Sequence, residues 1–304
     1  MQETYKGRYY QRKKQRRRRQ IRNALALAVI ALVLASLFWL FTGREPASVG
    51  EREQAALPVM ALNTAAQTTA LSLSEIPDTR LLELVNHQHP VQGEPEALSA
   101  AWVAVPAQST ELYIHETALS ALEAWFEAAN RENMGDFFIA SGYRSREEQA
   151  YIYEGALDRS FVKPPGHSEH QTGLAIDIGL PGILLADMAG LPEVLWLAET
   201  AWRHGFILRY PEWAYDITGI AFEPWHFRYV GRPHAFYMWE NDLVLEQYID
   251  ILRKRGVSTI HMDGRTYEVW HQMPREGMIY VPAGLPFHVS GDNMGGYIVT
   301  VEKG

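Results

Sequence analysis

The pattern of apolar and polar positions changes character several times along the chain, and each change marks a part. Ala24 to Phe41 is an apolar run whose only polar member is Ser36, close to the roughly 20 apolar residues that a helix needs to cross a bilayer. Trp39 stands near its far end, where interfacial aromatics gather. From 42 to 75 the chain is rich in Ala, Thr, Ser, Gln and Glu without a sustained apolar period, which predicts a flexible linker. Periodicity returns near Ile76. Leu112, Leu119, Leu122, Phe126 and Ala129 share one stripe of a helix predicted over Glu111 to Asn130. Phe137 to Ala140 reads as a buried strand. Ser145 and Glu148 then form a capping box that opens a helix to about Asp158. Pro192 starts another helix, which Gly205 stops. A last helix over Asp242 to Arg255 ends in three cations before Gly256, as the helix dipole favours. Beyond it come short β-rich runs at 257–262, 266–271, 278–281 and 297–301, punctuated by turn residues such as Asp263-Gly264.

Helices and strands in no regular βαβ alternation predict an α+β fold. The parts are a basic tail (1–23), an anchor (24–41), a linker (42–75), a central domain (76–255) and a small β-rich unit (256–304). The last is too small to fold reliably alone. Of 28 basic and 36 acidic residues, residues 1–22 hold ten of the basic and one of the acidic, so the remainder is strongly acidic. That balance argues against nucleic acid as a partner. Ten cations before the apolar run put the N-terminus in the cytoplasm and the rest outside. The run is longer than the usual signal-peptide core, and no small-x-small cleavage site follows at Thr42-Gly43-Arg44. The expectation is a single-pass protein of the cell membrane, held through 24–41, with its main domain extracellular. The chain has no cysteine, which removes thiolate catalysis, disulfides and cysteine-ligated metals.

Reactive residues concentrate in two segments. In Gly166-His167-Ser168-Glu169-His170-Gln171-Thr172-Gly173-Leu174-Ala175-Ile176-Asp177, strand alternation sets Asp177 on the face opposite Leu174, Ile176 and Ile178. An acid in so apolar a strand is costly unless paired or metal-bound. His170, on the preceding loop, folds back over the strand if Gly173 allows the turn; the two then make ligands of a zinc site. On local sequence alone His167 competes with His170. The second segment, Glu223-Pro224-Trp225-His226, offers a third ligand in His226 and a base in Glu223. Regular alternation would put these two on opposite faces, so Pro224 must break it. Two histidines and one carboxylate leave room for water, the layout of a catalytic zinc site.

Together, Ser141-Gly142-Tyr143-Arg144-Ser145, the string Ser168-x-His170-x-x-Gly173-x-Ala175-x-Asp177, and Glu223-Pro-Trp-His226 resemble the VanY-type D-alanyl-D-alanine carboxypeptidases. These belong to a zinc peptidase group that includes D-Ala-D-Ala dipeptidases and hedgehog-like domains. The resemblance spans roughly Leu81 to Ile251 and takes in Gly205-Phe206-x-x-Arg209-Tyr210-Pro211 and Arg228-Tyr229-Val230-Gly231. It implies an antiparallel sheet with flanking helices and one zinc ion per chain on His170, Asp177 and His226. It also implies Glu223 as catalytic base and Arg144 as substrate contact, with His167 a neighbour only. Ser168, Gln149 and Trp225 are further candidates for substrate contact, with Trp213 beside Trp225 as a closing wall. The implied substrates are peptidoglycan stem peptides, or their lipid-linked precursor, ending in D-Ala. Alternatives are an L,D-carboxypeptidase or endopeptidase on the same polymer, or a non-catalytic hedgehog-like binding module. Two departures stand at the rim: Lys163-Pro164-Pro165 before Gly166, where many relatives carry a smaller residue, and Trp213-Ala214 after Tyr210-Pro211.

Overall fold

The computed structural model describes residues 68–76 and 80–303. The basic tail, the anchor and the linker as far as residue 67 lie outside the described residues. Among the described residues no helix is long and apolar enough to cross a membrane.

The first strand, β1 (Thr68–Ser72), falls where composition predicted linker. It pairs antiparallel with a strand near the C-terminus, and Leu71, Leu73 and Ile76 pack on that strand's apolar cluster. Its polar, largely exposed sequence hides it, because only a distant partner makes it a strand. β2 (Leu98–Ala100) pairs with β3 (Tyr113–His115). That pairing takes the first turn from the predicted helix, so α1 runs over Glu116–Glu132, with Thr117 N–H donating to His115 Nδ1 at its start. Trp125 on α1 stacks on Phe206 (5.3 Å between centroids) and meets Phe227 edge-on (5.1 Å). Its indole donates to Thr200 Oγ1 at 3.0 Å, so the large ring is buried with its polar end satisfied.

The sheet beneath α1 comprises β4 (Phe138–Ser141), β5 (Ala175–Gly179), β6 (Phe206–Leu208) and β7 (His226–Tyr229), antiparallel in the order β4-β5-β7-β6. Between these strands lie α2 (Arg146–Gly155), α3 (Pro192–Thr200) and the short α4 (Tyr215–Thr218). The Ser145–Glu148 capping box closes reciprocally at 3.1 Å in both directions. All five residues of β5 are buried, so both of its faces are shielded from water.

α5 (Arg232–Asn241) and α6 (Leu245–Arg255) follow, the second starting three residues later than predicted because Asp242 takes a left-handed conformation that ends α5. Then β8 (Val257–Met262), β9 (Arg265–Gln272), β10 (Met278–Pro282), β11 (Phe287–Gly291) and β12 (Tyr297–Glu302) build the C-terminal part. Four of these form a sheet in the order β11-β12-β9-β8, while β10 takes β1. Ile260, Met262, Val269 and Ile298 share one buried cluster with Met238, Leu245, Tyr248, Ile249 and Leu252. The break at Gly256 is therefore a change of secondary structure inside one core, and residues 66–304 form one compact unit.

His234 ties three of these elements. Its Nδ1 lies 2.8 Å from Tyr248 Oη on α6 and its Nε2 3.1 Å from Thr300 Oγ1 on β12. Burial, with His288 nearby, holds its pKa down to about 3, against about 6.5 when unfolded. The unfolded chain thus takes up a proton that the native state refuses. Stability is full above about pH 6.5 and is lost as pH falls toward the folded value, by about 2 kcal/mol at pH 5. Urea denaturation at pH 7 and pH 5 should show this share of the acid loss in the wild type and not in His234→Gln; equal pH slopes in the two proteins would refute it.

Candidate active site

One rung of the central sheet places the reactive groups. In register, Ser141 on β4 stands opposite Asp177 on β5, and Asp177 opposite His226 on β7. Directly opposed residues of antiparallel strands share a face, and Asp177 Oδ1 lies 2.9 Å from His226 Nδ1. His170 arrives from the other side. Glu169–Thr172 form a single 3₁₀ turn that Gly173 closes at φ +70. Its ring stands edge-on to that of His226, centroids 4.9 Å apart, with Nε2 3.4 Å from Asp177 Oδ2. Glu223 reaches the site without a break in strand alternation, because β7 begins only at His226. Residues 223–226 make a turn in which His226 N–H donates to the Glu223 carbonyl at 3.2 Å, and Glu223 Oε2 ends 3.8 Å from His226 Nδ1.

The three buried groups offer one nitrogen or oxygen each, all within 4.8 Å of one another, and so can hold a metal ion. The His170 tautomer fits this. Its Nδ1 lies 2.6 Å from the Gly142 carbonyl, which only accepts, so Nδ1 carries the proton and Nε2 a lone pair. Burial and the Arg144 charge hold the His170 pKa down to about 4, so the ring is neutral at neutral pH. A lone pair and a carboxylate oxygen then face each other with no proton between them, an opposition that a cation relieves. The Gly142 carbonyl sits where it does because residue 142 has no side chain: a Cβ there would come 2.4 Å from the Tyr113 carbonyl oxygen.

Burial opposes charge on His226, yet Asp177, Glu169 and Glu223 push its pKa up to about 9, and a metal at Nδ1 competes with that proton. Burial also opposes charge on Asp177, but His170 and His226 hold its carboxyl well below the usual range. Buried nitrogen and oxygen donors of this kind suit zinc among divalent ions. His167 is not part of the group; its Nδ1 bonds to the Asn86 carbonyl at 2.7 Å.

Arg144 is clamped in place. Nε donates to Ser141 Oγ (3.1 Å), one terminal nitrogen to Gln149 Oε1 (3.3 Å) and the other to Asp177 Oδ2 (3.2 Å). Gln149 is buried rather than solvated, and its amide nitrogen donates to the Lys163 carbonyl at 2.7 Å. Both ends of its amide being engaged, its visible work is to hold Arg144. Ser168 and Trp225 line a cavity of about 150 Å³ together with Arg144, the three ligand candidates and Glu223. Trp213 is not among the lining residues; Phe161, Ile152 and Ile220 stand in the wall instead. A larger cavity, about 560 Å³ and bordered by Arg80, Asn293 and Tyr297, shares no lining residue with it. Burial pushes the Glu223 pKa up to about 8; His226 opposes this and Asp177 adds to it.

The reading of the motifs left Glu169, Arg209 and Arg228 without roles. Fully buried, Glu169 Oε1 accepts from Arg209 Nε at 2.8 Å and from Arg228 at 3.1 Å. Its Oε2 faces His226 Nε2 at 3.6 Å, beyond hydrogen-bond length. The available signal was a charge set in an apolar run, as Arg228 is between Phe227 and Tyr229. Removing one partner from a buried ion cluster costs about 3–5 kcal/mol. Glu169→Gln should therefore lose that much stability by urea denaturation, and a loss below about 1 kcal/mol would show that Glu246 and backbone carbonyls balance the two arginines alone.

Residues 111–232 match the model of the VanY D-alanyl-D-alanine carboxypeptidase family. The chain is 37% identical over 196 residues to a D-alanyl-D-alanine carboxypeptidase of Enterococcus faecium, covering 64% of this chain and 63% of that protein. It is 34% identical over 183 residues to the bifunctional D-Ala-D-Ala dipeptidase and carboxypeptidase VanXYC of Enterococcus gallinarum, covering 56% of this chain and 94% of that protein. Its structure is similar to that of the vancomycin-resistance D,D-dipeptidase VanXYg, solved with a D-Ala-D-Ala phosphinate analogue. There the TM-score is 0.68 at 30% identity, covering 79% of this chain and all of the other.

Proposed function

This chain belongs to the VanY D-alanyl-D-alanine carboxypeptidase family, and from that membership we propose that it is a zinc carboxypeptidase that removes the terminal D-alanine from peptidoglycan stem peptides or their lipid-linked precursor. The observation that carries this reading is the convergence of His170, Asp177 and His226 on one point with Glu223 beside them and Arg144 across the cavity. A binding module needs the ligands but not the base.

His170 Nε2, His226 Nδ1 and an Asp177 oxygen would hold zinc, which supplies Lewis acidity and a water nucleophile at neutral pH. Glu223, whose carboxylate a cation bound beside it would favour against the effect of burial, takes the proton of the attacking water and hands it to the leaving amine. The Arg144 guanidinium, charged at every working pH, faces the oxygen on which negative charge develops. Its three hydrogen bonds fix it before substrate arrives, so little reorganisation is left for the reaction. Trp225 and Phe161, whose rings lie 6.3 Å apart, limit water at the wall. The protein works outside the membrane, its N-terminus cytoplasmic and residues 24–41 the anchor, which suits a polymeric substrate close to the bilayer.

Metal analysis of purified variants tests the ligand set: His170→Ala should lose zinc and His167→Ala keep about one per chain, and the reverse would overturn the assignment. Glu223→Gln should keep zinc and fold while losing turnover of a D-Ala-D-Ala pentapeptide by roughly 10²–10⁴-fold. Near-normal release of D-alanine by that variant would remove Glu223 from the mechanism. Faster release from a tetrapeptide stem than from a pentapeptide would make the enzyme an L,D-carboxypeptidase.

A further inference from the structure

The cavity holds one cation that the chemistry above does not use. Lys163 lines the wall together with Phe161, Val162, Ile220 and Trp225, an apolar setting in which an unpaired ammonium is costly. Its Nζ donates to the Gly219 carbonyl at 2.7 Å. Among the described residues no carboxylate forms an ion pair with it, and Glu223 is the anion whose field it feels. An ammonium carries three donors, so two remain beyond the Gly219 bond. Nor is the position loose. The Lys163 carbonyl is bonded to Gln149, the same buried amide that holds Arg144. One side chain therefore holds both the Arg144 guanidinium and the backbone from which Lys163 extends. Gly219, at φ +65, adds no side chain here. A Cβ on it would stand 3.7 Å from Lys163 Nζ.

A carboxypeptidase must tell a free chain end from a continuing chain, and the difference is one carboxylate a single residue beyond the scissile carbonyl. Arg144 and Glu223 serve the reacting carbonyl, and Lys163 is the cation left over in the same cavity of about 150 Å³. We infer that Lys163 is the specificity residue that reads the free α-carboxylate of the substrate, pairing through the donors that Gly219 leaves open. The inference rests on the proposed carboxypeptidase activity and deepens it. The competing role is structural, a strap from the loop after α2 to the end of α4.

The test uses the full chain in detergent, a pentapeptide ending in free D-Ala-D-Ala, and the same peptide as its C-terminal amide. A charge-assisted hydrogen bond lost on binding should raise KM for the free end about 10- to 100-fold in Lys163→Met, with kcat changed less than about threefold. The slow reaction of the amide should be unaffected, and Lys163→Arg should recover part of the loss. Binding of acetyl-D-Ala-D-Ala to Glu223→Gln, with and without Lys163→Met, gives a second readout that needs no turnover. A KM for the free end that Lys163→Met leaves unchanged, or a Lys163→Met variant that loses thermal stability while its preference for the free end persists, overturns the inference. Absence of turnover in the wild type together with Lys163-dependent binding overturns the proposed activity and leaves the carboxylate site standing.

Discussion

Three buried carboxylates, Glu169, Asp177 and Glu223, lie within one small volume, and the structure is organised around balancing them. An ionised carboxylate removed from water without a partner is prohibitively costly. Glu169 meets this with two arginines, themselves fully buried, and each arginine then needs further acceptors. Arg209 forks onto both oxygens of Glu246 at 2.7 and 2.9 Å. Arg228 turns to the backbone carbonyls of Arg80, Leu81 and Glu83. In this way one acid beneath the reactive cluster ties residues 80–83, β7, the residue after β6 and α6 together. Asp177 is balanced by Arg144 and His226, and Glu223 is the one least well compensated.

That difference in compensation assigns roles to groups of the same chemical type. Glu169 is surrounded by permanent positive charge and is held well below the usual carboxylate range; it is a fixed counter-ion. Glu223 is driven by burial toward neutrality, with His226 and Arg144 opposing this; it is a group whose proton can move. Such divergence between neighbouring carboxylates is how one site separates an orienting charge from an acid–base residue. The orientation of His226 follows from the same arrangement. With Asp177 and Glu223 on the Nδ1 side and Glu169 on the Nε2 side, the ring has one favourable setting, and it aims Nδ1 at the cluster.

How much of this was legible in the sequence depends on sequence separation. The face of Asp177 follows from strand alternation and the return of the 169–172 loop from a glycine-closed turn, both short-range rules, whereas His170 and His167 are told apart only by the family resemblance. The capping box at Ser145 and the strands at 257–262 and 297–302 are local as well. The route of Glu223 was misjudged because a turn, rather than a bulge in a strand, carries it, and Pro224 is compatible with either. What escaped entirely depends on distant partners. Gln149 cannot be told from a surface residue until Arg144 and the Lys163 carbonyl close on it. β1 reads as linker until β10, some two hundred residues on, supplies its hydrogen bonds. Tertiary pairing also overrode a helical stripe at Leu112. Residues 1–67, with the anchor predicted at 24–41, stand outside this comparison.

α6 shows why the C-terminal sheet belongs to the same body as the reactive cluster. One face of the helix, Leu245, Tyr248, Ile249 and Leu252, is buried in the core shared with β8, β9 and β12. Glu246, between those apolar positions, turns the other way and forks onto Arg209. Arg209 holds Glu169, and Glu169 faces His226. Contact by contact, the packing of the last fifty residues sets the position of a helix whose Glu246 completes the charge balance under His226. The burial of a charge leaves little tolerance in where its partners stand, whereas apolar packing alone tolerates repacking. A sheet appended purely for surface coverage would have no reason to bear on that helix. This one does, so the sequence after Gly256 is best understood as part of what fixes the site, with His234 between Tyr248 and Thr300 as its polar seam.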